Sequence, residues 1–353
     1  MNHTRNTFLF FVLWASALVA GTHVHALGAA PGAPLPSWNQ GDTRRAVIDF
    51  VAAVTDPASP DFVPRAERIA VFDNDGTLWS EKPVYFQLFF ALDRLRELAP
   101  QHPEWADTQP FKAALEGDFE TLGAGGVESI LEIVMATHAT ADTDEFAALV
   151  RKWIESAQHP TREVPFPQLV FQPMLELLSY LRANGFTTYI VSGGGQGFMR
   201  AFAEELYGVP PEQVIGSVVK TEFVVGPDGP DIRRVPQIEF IDDEEGKPIA
   251  IERVIGRRPI AAFGNSDGDL EMLQWTAAGG GRRLCALVHH TDAEREWAYD
   301  RDSSVGRLDE ALDQAREKGW TVIDMKNDWS TVFVRNAGGS PDDPEPRSEA
   351  SGS

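Results

Sequence analysis

Residues 69–77, Ile-Ala-Val-Phe-Asp-Asn-Asp-Gly-Thr, decide the fold of this chain. The run begins with apolar and β-branched residues, which predicts a short buried strand, and Asp-Asn-Asp-Gly ends that strand in a turn. Asp73 and Asp75 repel each other unless a cation or a shared proton compensates them. Because oxygen ligands suit Mg²⁺, the pair indicates a metal site at the carboxyl end of the strand.

Residues 73–77 resemble motif I of the haloacid dehalogenase (HAD) superfamily, Asp-x-Asp-Gly-Thr. The resemblance implies that Asp73 is a nucleophile and that Asp75 is a general acid and base. It also implies that both residues contribute to an Mg²⁺ site and that Thr77 lies at the phosphate. The alternative is an Asx-rich turn that only ends a strand.

The amino-terminal residues 1–26 are predicted to be a signal peptide. Arg5 precedes an apolar run at residues 8–20, and small residues near Ala26 suit cleavage. The run is shorter than the roughly 20 residues that span a bilayer, although an uncleaved anchor stays an alternative. We therefore expect export to the periplasm or out of the cell, without stable membrane association after cleavage.

The composition favours a small-molecule substrate. The chain has 53 acidic and 31 basic residues, a formal net charge of −22, which argues against binding nucleic acid or an anionic membrane surface. An anionic substrate would then need local positive charge. Cys285 is the only cysteine, so an internal disulfide is excluded, and its apolar surroundings predict a buried, inert thiol.

The predicted elements divide the chain into a core and an insertion. Residues 27–82 and 166–335 are predicted to form the HAD-like α/β core, with a first helix at residues 42–54 capped by Asp42 or Thr43. Residues 83–165 contain helical patterns at 83–98, 127–137 and 142–157 and no strand-like alternation. Their position matches the helical C1 cap of HAD phosphatases. Residues 336–353 are predicted to be a disordered tail.

The next chemical signal follows a predicted strand at residues 186–191. Ser192 and Gly193 open a glycine-rich turn before a predicted helix at residues 196–207, whose backbone N–H groups and dipole would suit an anion. Ser192 resembles motif II of the superfamily, which implies that Ser192 and Gly193 hold the phosphoryl group. The alternative is that the glycines only form a tight turn.

Lys247 lies at the start of a predicted helix, after a predicted strand pair at residues 214–225 and 237–241. Its place along the chain resembles motif III, whose lysine pairs with phosphate and with the nucleophilic carboxylate. A surface lysine is the alternative. The acidic run at residues 242–245 is predicted to be a solvated loop and not a metal site.

A strand predicted at residues 259–263 ends in a loop that resembles motif IV, Gly-Asp-x-x-x-Asp-Leu in the phosphoserine phosphatase-like branch. Here Asn265 replaces the first acid and Asp269 keeps the second, with Asp267 between them. We predict Asp269 as the more important metal ligand, with Asn265 giving a carbonyl oxygen or a water contact. Asp267 is the alternative ligand, or a helix cap.

Two further groups are candidates with open roles. Trp79, Glu81 and Lys82 leave the motif I turn towards the predicted cap, and Glu81 either contacts an amine on the substrate or is a hinge residue. His289 and His290 follow a predicted strand; they could bind a transition metal, but loop residues are the favoured interpretation.

Taken together, these motifs predict an α/β fold, a doubly wound parallel sheet with its site at the carboxyl ends of the strands. The predicted enzyme is an exported, Mg²⁺-dependent phosphatase that hydrolyses small phosphomonoesters through an aspartyl-phosphate. Two alternatives stay open. A non-catalytic binding protein of the same fold is favoured by Asn265, whereas a dehalogenase of the same fold lacks the second aspartate that Asp75 supplies.

Overall fold

A computed structural model describes residues 34–138, 141–227 and 229–334. The predicted signal peptide and the predicted tail at residues 336–353 lie outside the described residues. Within the described ranges, none of the helices combines the length and the apolar character that crossing a membrane requires.

A single sheet organises the described residues. Its seven strands are β1 (Ile69–Phe72), β2 (Thr187–Gly195), β3 (Val214–Gly226), β4 (Gly229–Phe240), β5 (Ala261–Gly264), β6 (Leu284–His289) and β7 (Thr321–Asp324). The strand order is β4-β3-β2-β1-β5-β6-β7, and only the β3–β4 pair is antiparallel. Without β4, the parallel strands follow the 3-2-1-4-5-6 order of doubly wound folds, so the predicted α/β class is confirmed.

Helices connect the strands. In the described residues they are α1 (Asp42–Thr55), α2 (Phe86–Leu98), α3 (Phe111–Glu116), α4 (Phe119–Ala124), α5 (Gly126–His138), α6 (Thr143–Ser156), α7 (Gln172–Ala183), α8 (Gln196–Arg200), α9 (Ala203–Tyr207), α10 (Gly246–Ile255), α11 (Leu270–Ala277), α12 (Glu310–Lys318) and α13 (Met325–Asp328). Helices α2 to α6 lie between β1 and β2, where the helical insertion was expected. The division into core and cap stays a prediction.

The β1 strand shows why the central run is apolar at every position. Ala70 and Phe72 belong to the hydrophobic cluster on one face of the sheet, whereas Ile69 and Val71 belong to the cluster on the other face. Successive side chains of a strand point to opposite faces, and both faces are covered here. All four residues are buried, so a continuous apolar run is required.

Several predicted helix ends were wrong. Helix α1 is capped by Gly41 without a side-chain hydrogen bond, because Asp42 and Thr43 already lie at its start. Helix α2 begins at Phe86 and not at residue 83, since Tyr85 is extended with ψ 135°. The helix predicted over residues 196–207 is divided into α8 and α9 at Phe202, whose φ of −133° is not helical.

Cys285 is a free thiol on β6 and is buried, as predicted. Burial raises the pKa of this thiol to about 12. The thiolate form that would react or bind a metal is therefore absent at neutral pH.

Candidate active site

Three neighbouring strands bring the predicted motifs to one edge of the sheet. Asp73 follows β1, Ser192 lies near the carboxyl end of β2, and Asn265 follows β5. Strands β2 and β5 flank β1, so β1 and β5 meet where the strand order reverses. Ligands of doubly wound sheets bind at this switch point.

Lys247 joins two of the predicted carboxylates. Its Nζ donates to Oδ1 of Asp73 at 2.7 Å and to Oδ1 of Asp269 at 2.6 Å, and the side chain is 2% exposed. Burial alone would lower the pKa of Lys247, but the charges of Asp269 and Asp73 outweigh it and raise that pKa. The structure therefore places Lys247 as a buried ammonium group, whereas its sequence left a surface position open.

Asp73 has one oxygen bound and one oxygen available. Oδ1 accepts the Lys247 hydrogen bond, and among the described residues no group donates to Oδ2. Burial raises the pKa of Asp73 well above its usual value, against the charge of Lys247, and the charges of Asp269 and Asp75 add to the rise. An available carboxylate oxygen beside a fixed cation is the arrangement that an attacking nucleophile needs.

Asp75 is held by the indole of Trp79, a candidate residue whose role the sequence left open. Nε1 of the fully buried Trp79 donates to Oδ1 of Asp75 at 2.8 Å. Burial raises the pKa of Asp75 to about 6, and the Trp79 hydrogen bond opposes this rise. A Cβ atom added to Gly194 would lie 3.5 Å from Oδ2 of Asp75, so the other carboxylate oxygen faces the glycine turn after Ser192.

The glycine turn is closely packed. Ser192 is 1% exposed, and its Oγ accepts from the N–H of Gly194 at 3.2 Å. The N–H of Gly195 donates to Oε1 of Gln87 on α2 at 2.7 Å, and a Cβ atom at Gly195 would come within 2.7 Å of Nε2 of Gln87. A side chain at this position would therefore displace Gln87. Because α8 has only five residues, it supplies a smaller dipole than the long predicted helix.

The motif IV loop fixes both of its aspartates through protein hydrogen bonds. Oδ1 of Asp269 accepts from Lys247, and Oδ2 accepts backbone N–H groups of Asn265 and Ser266 at 2.9 and 3.1 Å. Oδ1 of Asp267 accepts the N–H groups of Asp309 and Ala311 at 2.9 Å, and its Oδ2 lies 3.7 Å from Arg307. Asp269 thus fixes the loop and the lysine, and Asp267 holds the start of α12. Both oxygens of Asp269 accept hydrogen bonds, whereas among the described residues Oδ2 of Asp267 has only the ion pair with Arg307, and the choice between the two as metal ligand stays a prediction.

Asn265 lies between Thr77 and Glu81. Its Oδ1 accepts from Oγ1 of Thr77 at 3.0 Å, and its Nδ2 donates to Oε1 of Glu81 at 2.8 Å. Thr77 is fully buried and donates to this amide, and its predicted place at the phosphate stays a prediction. Asn265 is 1% exposed, so its orientation is set by these two partners.

The oxygen atoms at this point fit a hard divalent cation. In the described ranges, no group of three or more His, Cys, Asp or Glu side chains forms a metal site of its own. The donors that the resemblance implies are Oδ2 of Asp73, the backbone carbonyl of Asp75 and Oδ1 of Asn265, all oxygen atoms, as Mg²⁺ prefers. Oδ1 of Asn265 already accepts from Thr77 and would give a metal its second lone pair. The carboxylates of Asp73, Asp75 and Asp269 face one ammonium group, that of Lys247, and this excess negative charge favours a cation.

Glu81 and its neighbours point to the carboxyl-terminal part of the chain. Oη of Tyr299 donates to Oε1 of Glu81 at 2.7 Å, and Glu81 is 1% exposed. Nζ of Lys82 donates to the carbonyl of Val305 at 2.8 Å and lies 3.9 Å from the centre of the Tyr299 ring. The carbonyl of Lys82 also accepts from Nε2 of His159 at 2.7 Å, and the ring of Trp79 lies 4.8 Å from that of Phe86 on α2, so this segment contacts the predicted cap region as well. The amine-contact and hinge roles of Glu81 stay predictions. Burial raises the pKa of Glu81 to about 7.

His290 is a second residue that the sequence did not assign to the site. Its Nε2 donates to the carbonyl of Gly76 at 2.8 Å, and Nδ1 pairs with Oε2 of Glu296 at 3.0 Å. Burial alone lowers the pKa of His290, but the charge of Glu296 outweighs it and raises that pKa. His290 lies directly after β6, outside regular secondary structure, as the loop interpretation predicted, and from there it supports the motif I turn. Its neighbour His289 is the last residue of β6.

The acidic run at residues 242–245 is only partly solvated. Asp242 is fully buried, and neither of its carboxylate oxygens has a hydrogen-bond partner in the described structure. Its backbone N–H donates to Oγ of Ser217 on β3 at 3.0 Å, and this bond holds Asp242 against the strand. Burial raises the pKa of Asp242 to about 7. The prediction of a solvated loop was therefore wrong at this residue.

Comparisons with known proteins place these motifs in one family. The sequence profile of haloacid dehalogenase-like hydrolases matches residues 70–274. A comparison with curated protein sequences gives no match.

Solved structures are similar at low identity. A conserved functionally unknown protein from Anaerococcus prevotii DSM 20548 is 17% identical over 78% of this chain and 88% of its own, with a TM-score of 0.51. A protein with unknown function from Bordetella pertussis Tohama I is 17% identical over 73% and 99%, with a TM-score of 0.46. A phosphoserine phosphohydrolase-like protein from Francisella tularensis subsp. tularensis SCHU S4 is 17% identical over 71% and 99%, with a TM-score of 0.36. Of these three, the first supports the fold and nothing more.

Proposed function

The chain belongs to the family of haloacid dehalogenase-like hydrolases, and from this premise we propose that it hydrolyses small phosphomonoesters through a covalent intermediate on Asp73. The observation that carries the proposal is the state of the Asp73 carboxylate. Lys247 holds its Oδ1 at 2.7 Å, while Oδ2 has no donor among the described residues and lies at the switch point of the sheet. The prediction of an enzyme from this family is confirmed by the family match.

The first step transfers the phosphoryl group. Oδ2 of Asp73 attacks phosphorus, the bond to the ester oxygen breaks, and the leaving oxygen takes a proton from Asp75. The hydroxyl of Ser192 and the N–H of Gly193 bind the phosphoryl oxygens, since the N–H groups of Gly194 and Gly195 already donate to Ser192 and Gln87. Lys247 stays on Oδ1 of Asp73 and stabilises the negative charge that develops nearby.

The second step releases phosphate. Asp75, now ionised, takes a proton from a water molecule whose oxygen attacks phosphorus, and the bond between phosphorus and Oδ2 of Asp73 breaks. The products are inorganic phosphate and the original carboxylate. Two easier displacements replace one difficult displacement, and Asp75 returns to its protonated form for the next cycle.

Mg²⁺ belongs to this proposal as the implied cofactor. Asp73, the backbone carbonyl of Asp75 and Asn265 would hold it. When bound, it supplies positive charge that neutralises the oxygens of the phosphoryl group.

A second candidate function is a binding protein that keeps the fold without turnover. It is favoured by Asn265, because a neutral amide at this position gives a metal less charge than a carboxylate would. Because both oxygens of Asp269 are engaged elsewhere, that carboxylate does not make up the difference.

The deciding experiment measures hydrolysis of para-nitrophenyl phosphate with added Mg²⁺ and with EDTA. We expect metal-dependent release of para-nitrophenol by the unmodified protein and loss of turnover in Asp73→Asn. Asp49→Asn, which changes an exposed carboxylate on α1, is the control and should keep full activity. Turnover that survives in Asp73→Asn would exclude the proposed intermediate, and no turnover in the unmodified protein would favour the binding protein.

We also propose export, which is supported by Arg5, the apolar run at residues 8–20 and the small residues before Leu27. An exported phosphatase would act on small phosphoesters outside the cytoplasm.

A further inference from the structure

Arg234 on β4 is a buried cation that forms no ion pair with any carboxylate of the described residues. Arg234 is 8% exposed, and its Nε donates to the carbonyl of His138 at 2.8 Å. The guanidinium lies over the ring of Phe146, 4.1 Å from the ring centre. Among the described residues, its two terminal nitrogens have no hydrogen-bond partner and the side chain forms no ion pair.

This arrangement is unfavourable for the protein alone. Buried charges are almost always paired, because removing a charge from water is costly unless another charge compensates it. The aromatic ring and one carbonyl compensate only part of that cost. The pKa of Arg234 falls to about 10 through burial, and no carboxylate opposes the shift. The chain has a net charge of −22, so carboxylates are abundant. A buried arginine that pairs with none of the described carboxylates therefore indicates a binding site for another anion.

The position of Arg234 connects it with the candidate active site. A Cβ atom added to Gly197 would lie 2.8 Å from Nη1 of Arg234, so the guanidinium reaches the turn that begins at Ser192. His138, which accepts from Arg234, also contacts Gln87 at 3.2 Å between the ring Nε2 and the amide Nε2. Gln87 in turn binds the N–H of Gly195, beside the glycine that faces Asp75.

The groups between Asp75 and Arg234 are neutral. Burial and the nearby charge of Arg234 lower the pKa of His138 to about 3, so its imidazole is neutral. Gln87 and the backbone of residues 194–197 carry no charge. A ligand that extends from the phosphoryl site past Gln87 therefore meets polar, uncharged groups first and a guanidinium at its far end.

We propose that Arg234 binds a second anionic group on the leaving group of the substrate, so that the preferred substrates are phosphomonoesters that carry a carboxylate or a second phosphate. The inference rests on the proposed phosphatase function and adds the substrate class. The two terminal nitrogens of a guanidinium offer parallel N–H groups, which match two oxygens of a carboxylate or of a phosphate. The second anion must lie several bonds from the ester oxygen, because the Gln87 side chain and the glycine turn separate Arg234 from Asp75.

The test compares matched esters. Phosphate monoesters of ω-hydroxy carboxylic acids of increasing length are paired with the corresponding ω-hydroxy carboxamides, and α,ω-bisphosphates form a third series. At the length that reaches Arg234, we expect the anionic ester to have a kcat/KM about 10-fold to 100-fold above that of the amide, the range for a charge-assisted hydrogen bond. The carboxylate and bisphosphate series distinguish the two kinds of second anion.

The variants are Arg234→Gln, Arg234→Lys and Arg233→Gln. Arg233 is the exposed neighbour on the same strand, so its change removes the same formal charge from outside the site. We expect the ratio of anionic to neutral kcat/KM to fall to about 1 in Arg234→Gln, to recover in part in Arg234→Lys, and to stay as in the unmodified protein in Arg233→Gln. The ratio is the readout because a loss of packing at His138 lowers the rates for both esters alike.

A binding measurement separates this inference from the proposed function. Asp73→Asn protein, alone and combined with Arg234→Gln, is titrated calorimetrically with the same carboxylate and carboxamide esters. We expect tighter binding of the carboxylate ester only where Arg234 is present. If no ester is hydrolysed by the unmodified protein, the phosphatase proposal fails and this titration still decides the role of Arg234. Equal affinities for both esters, an unchanged ratio in Arg234→Gln, or an equal fall in Arg233→Gln would overturn the inference.

Discussion

Replacing Trp79 by phenylalanine should shift the pH dependence of the proposed reaction. The change removes one indole N–H, which donates to Oδ1 of Asp75 at 2.8 Å, and leaves an aromatic ring in the core. Trp79 is fully buried, and its ring packs against Phe86 and Phe202 at centroid distances of 4.8 and 4.9 Å. The phenyl ring of the variant keeps most of these contacts, so the hydrogen bond is the main loss.

The expected magnitude follows from the strength of that bond. A hydrogen bond to a charged group contributes about 1.5 to 3 kcal/mol, and part of this is kept when the carboxylate is protonated. One pKa unit corresponds to about 1.4 kcal/mol, so we expect the pKa of Asp75 to rise by about one unit in Trp79→Phe. The direction is upward because the indole stabilises the ionised carboxylate. Asp75 gives its proton in the first step and must be ionised in the second step to accept the proton of the attacking water. Para-nitrophenolate leaves without acid assistance, so release of phosphate governs the limb that we follow, and the ascending limb of activity against pH should move to higher pH.

The assay is the pH dependence of kcat for para-nitrophenyl phosphate at saturating Mg²⁺. Trp329→Phe is the matched control, because Trp329 is 1% exposed and its Nε1 has no hydrogen-bond partner in the described structure. It loses the same atoms and should leave the ascending limb unchanged. An unshifted limb in Trp79→Phe would refute the role of Asp75 as the base, and an equal shift in Trp329→Phe would assign the effect to packing.

Three further changes test other parts of the account. Lys247→Met leaves Asp73 and Asp269 without their shared cation. We expect the free energy of unfolding by urea to fall by about 3 to 5 kcal/mol and kcat to fall at least about 100-fold. Near-normal stability and rate would contradict the buried ion pairs. Asp242→Asn removes a buried carboxyl whose folded pKa of about 7 lies above its unfolded value of 3.8, so the stability that Asp242 contributes at low pH is lost as the pH rises from about 4 through 7. The variant should lack that loss, so at pH 8 its free energy of unfolding should exceed that of the unmodified protein by up to about 4 kcal/mol. Urea unfolding of both proteins at pH 4 and pH 8 measures the difference. Equal pH dependence in the two proteins would show that Asp242 is solvated. Deleting residues 8–20 should move the protein from the periplasmic or secreted fraction to the cytoplasm in cell fractionation, and an unchanged distribution would exclude the signal peptide.

The sheet and the motif positions were predictable because they depend on local pattern. The apolar run before Asp73, the glycines after Ser192 and the strand before Asn265 each mark a strand that ends in a turn, and parallel strands bring such ends together. The place of Lys247 was predictable from its order along the chain. Its burial was not, because a lysine at a helix start is usually exposed.

The hydrogen bonds that support the site join residues far apart in sequence. His290 binds the carbonyl of Gly76 across 214 positions, and Tyr299 binds Glu81 across 218. No periodicity or spacing rule reports contacts of that range, so the carboxyl-terminal part of the site was missed. Arg234 gave no signal either, since an arginine in a polar hairpin strand is normally solvated.

Asp242 illustrates a different limit. Four consecutive acidic residues suggest a solvated loop, yet Asp242 is buried and its backbone N–H is bound to Ser217 of β3. Composition predicts the average environment of such a run and not that of a single member. The roles of Asp267 and Asp269 were uncertain for a related reason, since spacing does not tell which carboxylate oxygens are already used by N–H groups.

Asp73 is proposed to carry the phosphoryl group during turnover, and detecting that group on the protein tests this proposal directly. The protein is mixed with an excess of para-nitrophenyl phosphate and Mg²⁺, quenched in acid within one turnover, digested and analysed by mass spectrometry. We expect one phosphoryl group on the peptide that contains residues 69–77, located at Asp73 by fragmentation and absent from Asp73→Asn. A phosphoryl group on another residue, or none during measured turnover, would contradict it.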